Sequence, residues 1–374
     1  MFFFIAVFLV YTSVNGYLFF KGWKILPASA TVKTAYSMVY FVLYGSFVFA
    51  MLGRNCLPLG IQKALYLPGT VWLGAMLYLT LWFLMTDGIY LLYRFIFSTQ
   101  ERTNRRRLRR IQVGAGYILI ILILTNGYYR FTHPVVVEKT IDIHKSGGKY
   151  RQLKIVAFSD IHLGVAIDKQ RLQNYVQLIN RQHPDLILIG GDVVDNNVLP
   201  LNLENMHEEL NRLQAPLGVY MCLGNHEYLS GIKPSLAFLQ KTQIRLLIDQ
   251  AVSVDDSFWI IGRDDTHGNQ RRQALKTLVM QTDTSQPLIL MDHEPWFPNE
   301  AVENGIDLQF SGHTHDGQMW PLNRIVKRIF PIGYGYEKTG DTHIYVSSGL
   351  GLWGPPFRIG TQSEIAVFNL QFNK

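Results

Sequence analysis

Apolar residues fall into two regimes along this chain. Through about residue 130 they run in long stretches, Phe2–Phe20, Thr34–Leu52, Leu67–Phe95 and Ile111–Tyr129. At about 1.5 Å per helical residue, each stretch is long enough to cross a hydrocarbon core of roughly 30 Å. The first lacks a basic start and a small-residue cleavage site, and further spans follow it, so it predicts a retained anchor and not a signal peptide. Four buried helices of a water-soluble bundle are excluded by charge: no Asp, Glu, Lys, Arg or His occurs from Met1 to Phe20. Residues 1–130 therefore predict a four-helix transmembrane domain.

Beyond that point the apolar runs are short and end in Gly, Asp, Asn or His. Within residues 131–150, a linker or first strand, Val135–Ile143 is β-branched and partly alternating, and Ser146-Gly147-Gly148 reads as a turn. Leu153–Phe158 has strand length. Lys169–Gln182 places Leu172, Tyr175, Val176 and Ile179 on one helical stripe and is stopped by Pro184. Asp185–Ile189 and Leu217–Leu223 read as further strands, as do Pro287–Met291 and Leu308–Phe310. Strand, helix, strand predicts parallel pairing with ligand sites at the carboxyl ends of the strands. Residues 151–374 thus predict an α/β domain.

Charge divides at the same place. The net charge of the whole chain is +7, but residues 1–150 carry 16 Lys and Arg against 4 Asp and Glu, and residues 151–374 carry 19 against 24. A nucleic-acid binder concentrates cations on its folded domain; here that domain is acidic, which argues against a nucleic-acid partner. The loop after the third stretch holds Arg102, Arg105, Arg106, Arg107, Arg109 and Arg110, and the loop after the first holds Lys21, Lys24 and Lys33. The loop between them holds only Arg54 and Lys63. Lys and Arg favour the cytoplasmic side, so the N-terminus and the α/β domain are expected to be extracytoplasmic. The arginine cluster before Ile111 also loosely resembles a twin-arginine export signal, which leads to the same side. Asp87 is the one acid inside a stretch, either a functional group at membrane depth or a residue reaching the interface. Cys56 and Cys222 make no spacing pattern and predict neither a disulfide framework nor a thiolate metal site.

The chemistry lies where the short strands end. Asp160-x-His162 closes the first, and both side chains share a face if the backbone stays extended. Gly190-Gly191-Asp192 closes the next, at a level where the Asp192 carboxylate is able to bridge two cations. In Gly224-Asn225-His226-Glu227, Asn225 offers a neutral oxygen ligand. His226 is the candidate for catalysis and not metal binding. Asp195 either orients the His226 ring or simply caps a turn. Asp292-His293 and Gly312-His313-Thr314-His315 add three imidazoles. The remaining histidines fall in no such context. Asp160, His162, Asp192, Asn225, His293, His313 and His315 are the candidate ligands. Nitrogen and oxygen donors without thiolate suit Mn, Zn or Fe. Two divalent ions against the charges of Asp160 and Asp192 leave a positive site suited to phosphate.

In these five blocks the segment from about Lys154 to Ile365 resembles the calcineurin-like metallophosphoesterase superfamily. His315-x-Gly317-Gln318, Tyr345–Gly351 and Pro355-Pro356-Phe357-Arg358 are similar to its membrane-attached branch typified by YkuE and YaeI. That branch often has arginine where Ser348 stands and Arg-Pro-Glu where this chain has Gln362-Ser363-Glu364. The resemblance does not extend over the four-span half. It implies a four-layer αββα sandwich and two divalent metal ions that acidify a shared water. It implies one metal on Asp160, His162, Asp192 and His315, and a second on Asp192, Asn225, His293 and His313. It further implies that His226, held by Asp195, protonates a leaving alkoxide.

Tethering beside a lipid bilayer favours a phosphorylated substrate that is lipid-linked or part of the envelope. Pro321–Pro331 mixes Arg324, Lys327 and Arg328 with apolar residues, either to touch headgroups or acyl chains or as a plain surface excursion. Trp353–Phe357 is a candidate aromatic rim. The rival reading is a non-catalytic membrane sensor or transporter with a structural metal domain. An intact His226 and Asp195 speak against it, because a structural site needs neither.

Overall fold

A computed structural model describes residues 2–53, 56–97 and 105–373; Arg54 and Arg102, two of the loop cations, lie outside them. The chain divides into two compact units, Met1–Tyr128 with Gly354–Pro356, and Tyr129–Trp353 with Phe357–Lys374.

The first unit is built from α1 (Phe2–Trp23), α2 (Ala30–Leu52), α3 (Leu59–Phe97) and α4 (Arg105–Thr132), whose last turn belongs to the second unit. All four are long and apolar enough to cross a membrane. They run past the apolar stretches because caps, not hydropathy, set helix ends. Ser29 accepts from the Val32 N–H and starts α2 ahead of Thr34. Leu9, Val10, Val42, Leu92, Ile118 and Leu122 are each more than half exposed. Apolar side chains covering the outside of a helical unit suit lipid, not water. Polar groups are satisfied within the unit. The Asn15 amide oxygen accepts from Trp72 Nε1 at 2.8 Å, and its backbone carbonyl accepts from Tyr40 OH at 2.7 Å. The Asp87 carboxylate pairs with Lys21 and accepts from Tyr17 OH at 2.9 Å and Gln112 Nε2 at 3.3 Å. It is thus an ion-paired group that joins α1, α3 and α4.

The second unit holds two six-stranded sheets. The first contains β1 (Val135–Ile143), β2 (Gln152–Phe158), β3 (Leu186–Ile189), β4 (Val219–Met221), β5 (Arg245–Leu246) and β12 (Glu364–Phe372), in the order β1-β12-β2-β3-β4-β5. The second contains β6 (Gln250–Val254), β7 (Phe258–Gly262), β8 (Leu288–Met291), β9 (Leu308–Ser311), β10 (Gly335–Thr339) and β11 (Thr342–Val346), in the order β10-β11-β9-β8-β7-β6. The strands whose ends carry the candidate residues pair in parallel, β2 with β3, β3 with β4, and β8 with β9. Parallel register brings their carboxyl ends to one level.

Strand alternation builds the layers. On β2, Ile155 and Ala157 enter the core that also holds Ile289, Met291, Leu308 and Phe310 of the second sheet, while Val156 and Phe158 face the opposite way. Those outer residues pack with Leu172, Tyr175, Val176 and Ile179 of α5 (Lys169–Asn180), the stripe expected from the sequence. Asp168 caps α5, and the helix ends two residues before Gln182. The same outer layer holds α6 (Leu199–Leu203), α7 (Met206–Leu210) and α9 (Ile232–Leu239); α8 (Asn225–Leu229) follows β4. Outside the second sheet, α10 (Leu275–Val279) and α11 (Pro298–Glu303) cover Ile261, Leu288 and Leu290. The result is a four-layer αββα sandwich. A last helix, α12 (Leu322–Ile329), follows the site histidines.

Candidate metal centre

The carboxyl ends of β2, β3, β4, β8 and β9 deliver all nine residues singled out in the sequence to one place. Asp160 and His162 do not stay extended as the sequence reading assumed. Their φ angles are 55° and 53°, and Asp192, His313 and His315 also have positive φ. These are uncommon for side chains with a Cβ and are held only where surrounding contacts fix them. The contacts are backbone hydrogen bonds from Asp160 N to Gly191 O at 3.1 Å and from His162 N to Asp192 O at 3.0 Å. Two glycines make the approach sterically open. A Cβ on Gly191 would stand 2.7 Å from His293 Nδ1, and one on Gly312 would stand 2.3 Å from Asp160 Oδ2.

Three overlapping groups bring potential ligand atoms within 4.8 Å of one another: Asp160, His162 and His315; Asp160, Asp192 and His293; and His162, Asp195 and His226. His162 Nε2 and His315 Nε2 face each other at 3.0 Å, with Asp160 Oδ1 3.4 Å from the latter. His293 Nε2 lies 3.2 Å from Asp192 Oδ2 and 3.2 Å from Asn225 Oδ1. Asn225 Oδ1 also lies 2.9 Å from His313 Nδ1.

This donor set fits cations. The Gly190 carbonyl only accepts, so His293 Nδ1, 2.6 Å away, carries the ring proton. In the neutral ring Nε2 is then a lone pair aimed at two acceptor oxygens. Lone pairs that converge without a proton between them call for a shared positive charge. The electrostatics agree. Burial opposes a charged His293, yet the neighbouring Asp192 carboxylate lifts its pKa well above the imidazole range. Burial likewise opposes the Asp192 charge, and His293 outweighs it and holds the carboxylate well below its usual range. No thiolate enters the set: Cys222 is buried and Cys56 lies in the first unit.

His226 stands beside the ligand groups. Its Nδ1 is 2.8 Å from the backbone carbonyl of Asp195 and 3.6 Å from the carboxylate Oδ1. The carbonyl, not the carboxylate expected to do so, therefore fixes the tautomer and leaves Nε2 available. Asp195 Oδ1 lies equally far, 3.6 Å, from His162 Nδ1. Burial, and then the charge of His162, lower the His226 pKa. The Trp353 ring is 6.4 Å from the His226 ring and half exposed, as a rim residue would be. Phe357 is not on a rim; at 4 % exposure it belongs to the interior.

Three residues that organise this geometry had no role legible in the sequence. Glu227 is fully buried and accepts from the backbone N–H groups of Asp192, Val193, Val194 and Gly224 at 2.8–3.0 Å. Burial and then Asp192 push its pKa up to about 7, while four donors and no acceptor favour the anion. Its only sequence signal was an acid directly after His226. Arg358, 0 % exposed, donates to the carbonyls of His315, Gly349 and Gly351 at 2.9, 3.1 and 2.6 Å. Arg272 donates to Asp292 Oδ1 at 2.8 Å and fixes the turn before His293.

The chain is similar to known proteins. Residues 153–317 match the family of calcineurin-like phosphoesterases. A metallophosphoesterase of Helicobacter pylori is 32 % identical over 288 residues, covering 74 % of this chain and 76 % of its own. One from Aquifex aeolicus is 33 % identical over 261 residues, covering 68 % of this chain and 98 % of its own. A bovine transmembrane protein with a metallophosphoesterase domain is 26 % identical over 381 residues, 94 % of this chain and 81 % of its own. With one αββα unit presenting this array of nitrogen and oxygen donors, the chain belongs to the calcineurin-like metallophosphoesterases, metal-dependent hydrolases of phosphoric esters.

Proposed function

We propose that this chain is a membrane-anchored phosphoesterase with two divalent ions, Mn, Zn or Fe. Asp160, His162, Asp192 and His315 hold the first, and Asp192, Asn225, His293 and His313 hold the second. The observation that carries this reading is that two ligand groups share Asp160 while Asp192 Oδ2 lies 3.7 Å from His162 Nε2 and 3.2 Å from His293 Nε2, at the ends of adjacent parallel strands. Ions bound there supply positive charge toward phosphate oxygens and acidify a water nucleophile.

The side chains supply the rest. His226 is the proposed general acid. Its Nδ1–H is committed to the Asp195 carbonyl, so the acid is the imidazolium form, which carries the proton destined for the leaving oxygen at Nε2 and, with its lowered pKa, gives it up readily. Asp195 keeps both His162 and His226 within reach of one carboxylate oxygen. Glu227 and Arg358 lock the loops that present Asp192 and His315, so the ligands are held in place before substrate arrives.

A tethered catalytic unit favours substrates borne by the membrane. The substrate class is a phosphomonoester, phosphodiester or pyrophosphate on a lipid or envelope component. The Lys and Arg bias of the loops supports an extracytoplasmic catalytic unit. The test is a hydrolysis screen of the purified full chain against lipid and nucleotide phosphates, with Mn and Zn each supplied. Preferential turnover of a lipid-linked phosphate is expected. Turnover of soluble nucleotides alone contradicts the substrate class, and no turnover of any ester contradicts the assigned centre.

A further inference from the structure

The outer side of α12 is apolar. At 100° per residue, Leu322, Ile325 and Ile329 fall in one narrow arc, and they are 38 %, 49 % and 54 % exposed. Val326 and Phe330 turn inward and are half-buried. On the helical wheel Arg328 borders one side of the exposed apolar arc, with Arg324 next to it, and no residue of the helix is acidic. The part of the chain that carries this helix is acidic as a whole, so a local run of cations without acids stands apart from its background. The patch reaches the metal centre: the Phe330 ring packs on Trp296 at 4.2 Å and lies 5.8 Å from the ring of His313. Phe297, next to Trp296, is 55 % exposed.

Apolar residues beside arginines match a helix lying in a bilayer interface. The apolar arc enters the acyl boundary and the guanidinium groups stay with anionic headgroups. Connectivity makes such a surface available. α4 is apolar and long enough to cross a membrane, it ends at Thr132, and β1 begins at Val135. We propose that α12, with Trp296 and Phe297 beside it, docks onto an anionic lipid surface and sets the mouth of the metal centre at headgroup level. This rests on the membrane anchoring proposed above, but not on the substrate being a lipid.

The test uses the full chain in nanodiscs containing phosphatidylglycerol, with a fluorophore on Ile325→Cys in a Cys56→Ser background. Met280→Cys, an exposed site in the turn after α10, is the aqueous control, and Val42→Cys on α2 is the lipid control. Turnover of a soluble phosphodiester confirms that each variant is folded. The Ile325 label is expected to be quenched by spin-labelled lipid and to be several-fold less open to iodide than the Met280 label. Arg324→Glu with Arg328→Glu, or discs of phosphatidylcholine alone, should restore iodide access. An Ile325 label as open to iodide as Met280, or indifferent to lipid charge, overturns the docking. Shielding from iodide without lipid quenching also overturns it, in favour of a protein contact. If the Val42 label escapes the lipid quencher too, the anchoring fails and the docking with it.

Discussion

Asp192 is the residue on which the centre turns, and three separate constraints act on it. Its φ of 54° is one that few residues adopt, its N–H is held by Glu227, and Oδ1 accepts from the His226 N–H at 2.8 Å. The last contact leaves Oδ2 to face His162 and His293. His226 is a different kind of residue, close to the ligands yet held by a carbonyl. His226→Ala is therefore expected to keep its metal content while turnover of a poor leaving group falls roughly 10²–10⁴-fold. Undiminished turnover would remove the general-acid role. At this scale the sequence was informative wherever a residue type has little other reason to sit at a strand end, as with the imidazoles of His293, His313 and His315. It was silent on Glu227, because an acid that binds four backbone N–H groups looks like any surface acid until its burial is known.

Elements place these residues through strand register. Once β2, β3 and β4 are parallel and in step, Asp160, Asp192 and Asn225 have no choice but to converge. That much follows from short apolar runs separated by a helical stripe. The insertion of β12 antiparallel to β2 and parallel to β1 does not, because pairing between residues more than 200 positions apart leaves no local pattern. The expectation that Asp160 and His162 share a face by strand alternation also missed the geometry. The backbone leaves the extended region there, and hydrogen bonds from the neighbouring strand's exit make up for it. Arg358 ties two exit loops, those after β9 and β11, by three carbonyls. Arg358→Ala leaves the Gly351 carbonyl without its donor, at about 1–3 kcal/mol, and takes one of two donors from the His315 and Gly349 carbonyls, so a clear fall in the unfolding temperature is expected. A thermal midpoint unchanged from wild type would show that the carbonyls find other donors.

For the whole molecule, the abrupt change in hydrophobic pattern near residue 130 lies close to the division between the two compact units. A bilayer and an aqueous core impose different lengths on apolar segments, which is why that change was legible. The Asp87 contacts were not: hydropathy marks a charge within a span but not its partner, here Lys21. The proposed orientation rests on cations in short loops. In intact cells, a Met280→Cys variant in a Cys56→Ser background is expected to react with a membrane-impermeant maleimide without permeabilisation. Reaction only after permeabilisation would put the catalytic unit in the cytoplasm. The central claim, however, is one of metal binding. Elemental analysis of the purified full chain, grown with Mn or Zn, measures it directly. Two divalent ions per wild-type chain are expected, with a marked loss in Asp192→Asn. A wild-type chain without stoichiometric metal, or an Asp192→Asn chain that keeps its full complement, would contradict a paired centre bridged by Asp192.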